Sequence, residues 1–143
     1  LFRSIVDTAE DWSWACTSAG EIDAGGLQAA NLEAMREAVS SLRPPPDLVL
    51  VDNYHVDGLD IPQWSITRGD ALSRCIAAAS VLAKVIRDQL MWFWSLRFPQ
   101  YGFEHHKGYG TAMHINAINE YGPSACHRRS YNVVKQMTQE LTE

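Results

Sequence analysis

The sequence predicts an α/β fold, and three observations carry that prediction. Apolar and small polar residues alternate over residues 12–17, the period of a half-buried strand. Leu27, Leu32, Met35, Val39 and Leu42 then recur at helical spacing. Leu48, Val49, Leu50 and Val51 form an apolar run that reads as a buried strand. Strand, helix and strand in succession point to helices layered on a sheet.

Each element can be justified in turn. Trp12, Trp14 and Cys16 alternate with Ser13, Ala15 and Thr17, which predicts the first strand. "SAGEIDAGG", with Gly20, Gly25 and Gly26, reads as a connection. Residues 27–42 are good helix formers, and the prolines of "RPPPD" stop them. After the buried strand, "IPQWSIT" predicts a second short strand ending at "RGD". Residues 72–98 read as one long helix, small-residued in its first half so that it can pack closely on a sheet, and closed by Pro99. Trp92 and Trp94 lie two apart and face different sides of it, one toward a core and one toward an interface. "YGFEHHKGYGT" is a glycine-rich loop, and residues 111–121 and 130–142 read as two further helices separated by "GPSACHRR". With no repeat and no low-complexity tract, residues 1–143 are expected to form a single domain.

Bulk properties narrow the class. A chain of 143 residues, 46% hydrophobic and 20% charged, has enough material for one globular core. It has no run of 18 apolar residues and no basic-then-apolar leader, so neither a membrane span nor export is expected. Cys16, Cys75 and Cys126 are odd in number and far apart, with no CxxC pair; free thiols and a cytoplasmic location follow as expectations. The net charge of −5 is unevenly spread. Residues 1–70 hold 4 Lys/Arg against 12 Asp/Glu, whereas residues 71–143 hold 8 against 5. The second part can therefore supply a local basic patch for phosphates. The chain starts at Leu1 rather than Met, which leads us to expect a fragment or a processed chain.

Two stretches carry candidate chemistry. Asp52 closes the apolar strand, and Asp70 closes the next segment in "TRGDA". Carboxylates at two such ends can share a hard divalent cation, since Mg²⁺ takes oxygen ligands and keeps several waters. The alternative is an Asx turn at Asp52 and a helix N-cap at Asp70. Asp57 and Asp60 flank Gly58 as turn residues, and Asp88 reads as a structural charge in the long helix. In "EHHKGYGT", His105 and His106 are adjacent and do not present a zinc pair on one face, so zinc is not expected. Lys107 with Gly108 and Gly110 suits a phosphate-approaching loop, and Tyr109 between the glycines can stack on a sugar or base. A tight turn with an aromatic lid explains the same residues. "CHRRSY" places Arg128 and Arg129 beside a helix start that Ser130 can cap; a solvated basic helix start is the other reading.

Taken together, "LVLVD", "RGD", "IAAASVLAKVIRD", "YGFEHHKGYGT" and "HRRSY", in this order, closely resemble bacterial ribonuclease HII. "EID", "QAANLEAM" and "DIPQ" fit its middle region, so the likeness covers nearly the whole chain. The resemblance implies a ribonuclease H-like mixed sheet flanked by helices, with a helical C-terminal part. It implies a hydrolase that cuts the RNA strand of RNA–DNA hybrids and cuts at ribonucleotides embedded in duplex DNA, with Mg²⁺ or Mn²⁺ as cofactor. That work belongs to ribonucleotide excision in DNA replication and repair. Of the family's four metal-binding acids, the third matches Asp52 and the fourth matches Asp70, with Arg68 where the family has Lys. The family's stacking Tyr matches Tyr109, and Lys107, Arg128 and Arg129 would hold phosphates. The first two acids, an adjacent Asp-Glu pair followed by a 2′-hydroxyl-sensing Gly-Arg-Gly, lie in an N-terminal strand segment that these residues do not include. Its absence would expose strand edges and core. Asn53 follows Asp52 where the family has Gly, and Asn tolerates a left-handed backbone. The resemblance therefore leaves three readings: a nuclease completed by a segment on another chain, a non-catalytic module that binds nucleic acid or a partner, and a structural remnant prone to dimerise.

Overall fold

The computed structural model describes residues 1–132, 134 and 135. Of the helix expected over residues 130–142, positions 133 and 136–142 lie outside the described residues. In chain order the elements are α1 (Phe2–Thr8), α2 (Ala19–Gly25), α3 (Leu27–Ser41), β1 (Val49–Asp52), β2 (Gln63–Ile66), α4 (Gly69–Leu72), α5 (Arg74–Arg97), a 3-10 turn (Pro99–Tyr101), α6 (Phe103–His106) and α7 (Ala112–Tyr121). The architecture is α/β and mostly helical, with a small parallel sheet, consistent with part of a ribonuclease H-like fold. The residues group into two compact units, Leu1–Thr17 with Leu27–Val85, and Ser18–Gly26 with the described residues from Ile86 on.

In the first unit β1 and β2 pair in parallel, with Val49 opposite Gln63 and Asp52 opposite Ile66. Side chains alternate across a strand, so Val49 and Val51 share one face and Leu50 and Asp52 the other. Val49 and Val51 are buried with Val56 against Leu32, Met35 and Val39 of α3 and against Leu59 and Ile61. This is the apolar face that the helical spacing of residues 27–42 anticipated. On the other face, Leu50 stands beside Trp64, which is 64% exposed.

Residues 12–17 form no strand. The alternation is real, but it is spent on a helix. Ser13 and Thr17 donate their hydroxyl hydrogen bonds to the carbonyls of Ala38 and Ala30 on α3, while Trp14 and Cys16 are exposed. A strand needs a ladder partner, and among the described residues none lies beside this segment. The connection expected over residues 18–26 contains α2 instead, built on a capping box: Ser18 accepts from the Glu21 N–H, and the Glu21 carboxylate accepts from the Ser18 N–H. The long helix of residues 72–98 is broken at Ser73, an extended residue (φ −122°, ψ 124°) that separates α4 from α5. The strand expected over residues 48–51 is shifted by one; Leu48 is exposed and Asp52 is its last residue.

The second unit packs Tyr101, Phe103, Ala117, Ile118 and Val134 against Met91, Trp94, Phe98 and Cys126. Trp94 stacks on Phe98 at 5.8 Å, whereas Trp92 is exposed, as their spacing required. Thr111 caps α7, its hydroxyl accepting from the His114 N–H at 3.3 Å. No helix among the described residues is long and apolar enough to cross a membrane.

Candidate active site

Asp52 is placed by the end of β1. Its Oδ1 accepts a hydrogen bond from the Gly69 N–H at 2.8 Å, and its own carbonyl accepts from the Tyr54 N–H at 2.8 Å. The side chain thus reaches across to the turn after β2, rather than closing an Asx turn. Asn53 leaves the strand with φ 65°, the left-handed conformation that its side chain tolerates. Arg68 is also left-handed (φ 56°, ψ 42°) and is the N-cap of α4, without a side-chain capping bond. Asp70 lies in the first turn of α4 and is not its N-cap.

Gly69 is what lets the turn that carries Asp70 approach Asp52. It is buried, and a Cβ there would stand 3.4 Å from both Cα and Oδ1 of Asp52 and 2.5 Å from Cδ1 of Ile76. The residue carrying the second acid is therefore the neighbour of the one bonded to the first. Asp70 is solvent-exposed and Asp52 half-buried, and both sit where water can reach a bound ion. Carboxylates are hard oxygen donors of the type that divalent cations take. These two are not a closed protein cage. Among the described residues no group of three or more His, Cys, Asp or Glu is arranged to hold a metal ion.

The loop residues singled out from sequence lie in the second unit. Lys107 is left-handed (φ 51°) and follows α6; its Nζ donates to the Glu104 carbonyl, and its own carbonyl accepts from Arg87 Nη2 at 2.9 Å. Gly108 (φ 77°) has Met91 Cε 3.1 Å from where a Cβ would stand, so this turn needs glycine for conformation and for space. Tyr109 is 62% exposed, and the Arg87 guanidinium lies over its ring at 4.6 Å from the centroid. An aromatic face held out of the core with a cation on it is a surface for stacking and for phosphate contact.

Arg128 lies over the Tyr131 ring at 5.5 Å, and Arg129 is exposed. Their turn is held by Asp23 of α2. The Asp23 carboxylate accepts from the N–H groups of Arg129 (2.7 Å) and Ser130 (2.9 Å) and from the Ser130 hydroxyl. The Ser130 hydroxyl bond chiefly holds the Asp23 carboxyl below its ordinary range.

Sequence reasoning passed over Asp23, Arg87 and His114, and gave no role to His106 or His127. Asp23 and Arg87 act across long chain separations, which no local motif reports. The capping box in "SAGE" was the available sign that Asp23 rides on a helix.

The chain matches the family model described as "Ribonuclease HII" over residues 6–134. It is 47% identical to the ribonuclease HII of Salinispora tropica over 131 residues, 92% of this chain and 48% of the relative. It is 48% identical to that of Pelotomaculum thermopropionicum over 135 residues, 94% of this chain and 51% of the relative. Against that of Idiomarina loihiensis it is 42% identical over 141 residues, 99% of this chain and 75% of the relative. The chain thus spans about half the length of the first two of these curated relatives. The match runs through the β1 end, the Gly69 turn and the Tyr109 loop alike, and the chain belongs to the ribonuclease HII family.

Proposed function

We propose that residues 1–143 form a single ribonuclease HII-like domain that provides half of a nuclease site. The enzyme hydrolyses the RNA strand of RNA–DNA hybrids and cuts at ribonucleotides embedded in duplex DNA, as a cytoplasmic activity serving ribonucleotide excision in replication and repair. Asp52 and Asp70 are the metal-binding and catalytic acids, and Mg²⁺ or Mn²⁺ is the cofactor. When bound, the divalent ions activate the attacking water and stabilise the leaving 3′ oxygen. A segment bearing two further acids, on a separate chain or on the same one, completes the ligand set and reads the 2′-hydroxyl that distinguishes RNA. Tyr109 stacks on the substrate sugar, and Arg68, Lys107, Arg128 and Arg129 hold phosphates. Electrostatics supports this division: the acids that hold cations lie in the acidic part of the chain, and three of the four phosphate contacts, Lys107, Arg128 and Arg129, lie in its basic part.

The observation that supports the reading is the Gly69 N–H to Asp52 bond, which ties the turn carrying Asp70 to the end of β1 in a chain of this family. The test is a duplex with one embedded ribonucleotide, in Mg²⁺ or in Mn²⁺. The chain is assayed alone and then with the N-terminal segment of a relative added. Cleavage 5′ or 3′ of the ribonucleotide on addition is expected. Folded protein that leaves the duplex intact under both conditions would overturn the proposal.

A further inference from the structure

Three histidines are buried in the second unit, and none has a part in the chemistry above. His106, His114 and His127 are 7%, 6% and 9% exposed. His106 and His114 stack with ring centroids 4.3 Å apart, and the Nε2 atoms of His114 and His127 are 3.0 Å apart. Phe103 and Tyr101 close the cluster with ring contacts of 5.4 Å to His114 and 4.8 Å to His127.

The partners of the outer nitrogens decide where each proton sits. His114 Nδ1 faces the Tyr109 carbonyl at 3.0 Å, and a carbonyl only accepts. His114 therefore carries its proton on Nδ1, and its Nε2 accepts. His127 must then donate from Nε2, which leaves its Nδ1 as an acceptor. That nitrogen meets two donors, the Ser124 N–H at 3.0 Å and the Ser124 hydroxyl at 2.8 Å. The hydroxyl oxygen in turn lies 3.0 Å from Cys126 Sγ, which can supply its S–H. The chain runs one way, from Cys126 through Ser124, His127 and His114 to the Tyr109 carbonyl. His106 obeys the same logic separately: Nε2 donates to the Tyr101 carbonyl at 2.8 Å, and Nδ1 accepts from the Gly108 N–H at 3.2 Å. Every ring nitrogen has a partner, and this pattern leaves one proton on His114 and one on His127. An added proton on any of them would point at an existing donor.

Both chains end on the same short loop. One holds the Gly108 N–H and the other the Tyr109 C=O, the peptide units before and after the exposed Tyr109 ring. We infer that His106 and His114 are positioning residues that clamp the backbone on either side of Tyr109, and that the His114 side is held by a directed hydrogen-bond chain anchored at His127 that exists only while His114 and His127 are neutral, so that acid releases the loop there. The groups acting on the two inner histidines are burial, the neighbouring histidines, and the backbone of Tyr109 and Ser124; no carboxylate is among them. The other titratable groups at the cluster are the Tyr101 phenol, which donates to the Gly122 carbonyl, and the Cys126 thiol. Among the described residues no carboxylate is thus bonded to the His114 or His127 ring to offset an added proton.

The consequence for nucleic-acid binding rests on the reading of Tyr109 given above, while the clamp itself is testable without it. In the 143-residue chain, nitrogen-15 spectra of the imidazoles at pH 7.5 should place the proton on Nδ1 of His114 and on Nε2 of His106 and His127. The protection factor of the Gly108 amide, its exchange rate corrected for the intrinsic pH dependence, should fall as the pH is lowered through protonation of His114 and His127. His114→Asn keeps a donor near the Nδ1 position and should retain loop protection across that range, whereas His114→Ala should lose it even at pH 7.5. Binding to an RNA–DNA hybrid should weaken about tenfold in His114→Ala, the scale of one lost stacking contact, with rescue by His114→Asn. A proton on Nε2 of His114, or a protection factor at Gly108 that ignores both pH and His114→Ala, would overturn the clamp. If the tautomers and the exchange are as stated but no hybrid binds at any pH, the clamp stands and the reading of Tyr109 as a substrate contact falls.

Discussion

At the scale of single residues, the acid pair depends on what Gly69 lacks. An alanine there forces the buried Ile76 side chain to move, because its Cδ1 would lie 2.5 Å from the new Cβ. Overpacking of this kind costs about 1–3 kcal/mol. Gly69→Ala should lower the urea midpoint accordingly, and the same change in an Ile76→Val background, where the offending methyl is gone, should cost measurably less. Equal cost in both backgrounds would refute the steric account. Asp52→Asn separates charge from shape. Its Oδ1 still accepts the Gly69 N–H, so unfolding should shift by under about 1 kcal/mol. Titration calorimetry with Mn²⁺ should nonetheless show affinity reduced at least about tenfold, since even outer-shell partners matter on that scale. His127 supplies a third expectation. Burial chiefly pushes its imidazole down from 6.5 to about 4. The folded chain therefore keeps it neutral where the unfolded chain protonates, and the unfolded state binds more protons between those values. This contribution is full above pH 6.5 and is lost as the pH falls toward 4, by about 3 kcal/mol over the window. Asp23 acts in a separate window, since its carboxyl is held below the ordinary 3.8. Denaturation curves at pH 7.5, 6 and 5 check the sign; flat stability over that range contradicts it.

At the scale of elements, the contrast between what was and was not legible is instructive. The helix over residues 27–42, the strand ending at Asp52 and the strand in "IPQWSIT" could be read because their apolar patterns match surfaces that are present, α3 and β1 covering one another through Val49 and Val51. The pattern over residues 12–17 was equally clear, yet a strand is a property of two segments and the sequence describes one. What survives is its alternation, with Ser13 and Thr17 turned to α3. The break at Ser73 was not legible, because the residues on both sides are helix formers; it is set by the Gly69 turn closing on Asp52, a contact seventeen residues long. Asp52 and Asp70 were singled out through family likeness, whereas Asp23 and Arg87 depend on distant partners. For α2, the capping box means that Ser18→Ala should lower helix stability by about 1 kcal/mol. Because α2 carries Asp23, that loss should appear as faster hydrogen exchange at Arg129 and Ser130, which it holds from 106 and 107 residues away. Unchanged exchange at those two amides would mean that Asp23 is placed by something other than its helix.

At the scale of the whole molecule, the sheet explains why this chain calls for more structure. Parallel strands are ordinarily covered on both faces, and a pair of strands alone is marginal in water. Here α3 covers the Val49 and Val51 face, while Leu50 stands beside a 64% exposed Trp64 on the other. The same unit exposes Trp14 at 47%, Leu48 at 39% and Leu72 at 75%. Exposed apolar surface of this kind is burial waiting for an occupant, and at about 25 cal/mol per Å² even part of it drives association. The 143-residue chain should therefore show a mass by light scattering that rises with concentration. Trp64→Lys and Leu72→Lys together should shift it toward monomer, with little effect on folding because neither side chain is buried. Adding the N-terminal segment of a relative should produce the same shift if that segment occupies the Leu50–Trp64 face, and should blue-shift Trp64 emission as water leaves the ring. A monomer at all concentrations, with Trp64 emission unmoved by the segment, would show that the open face is not where such a segment docks.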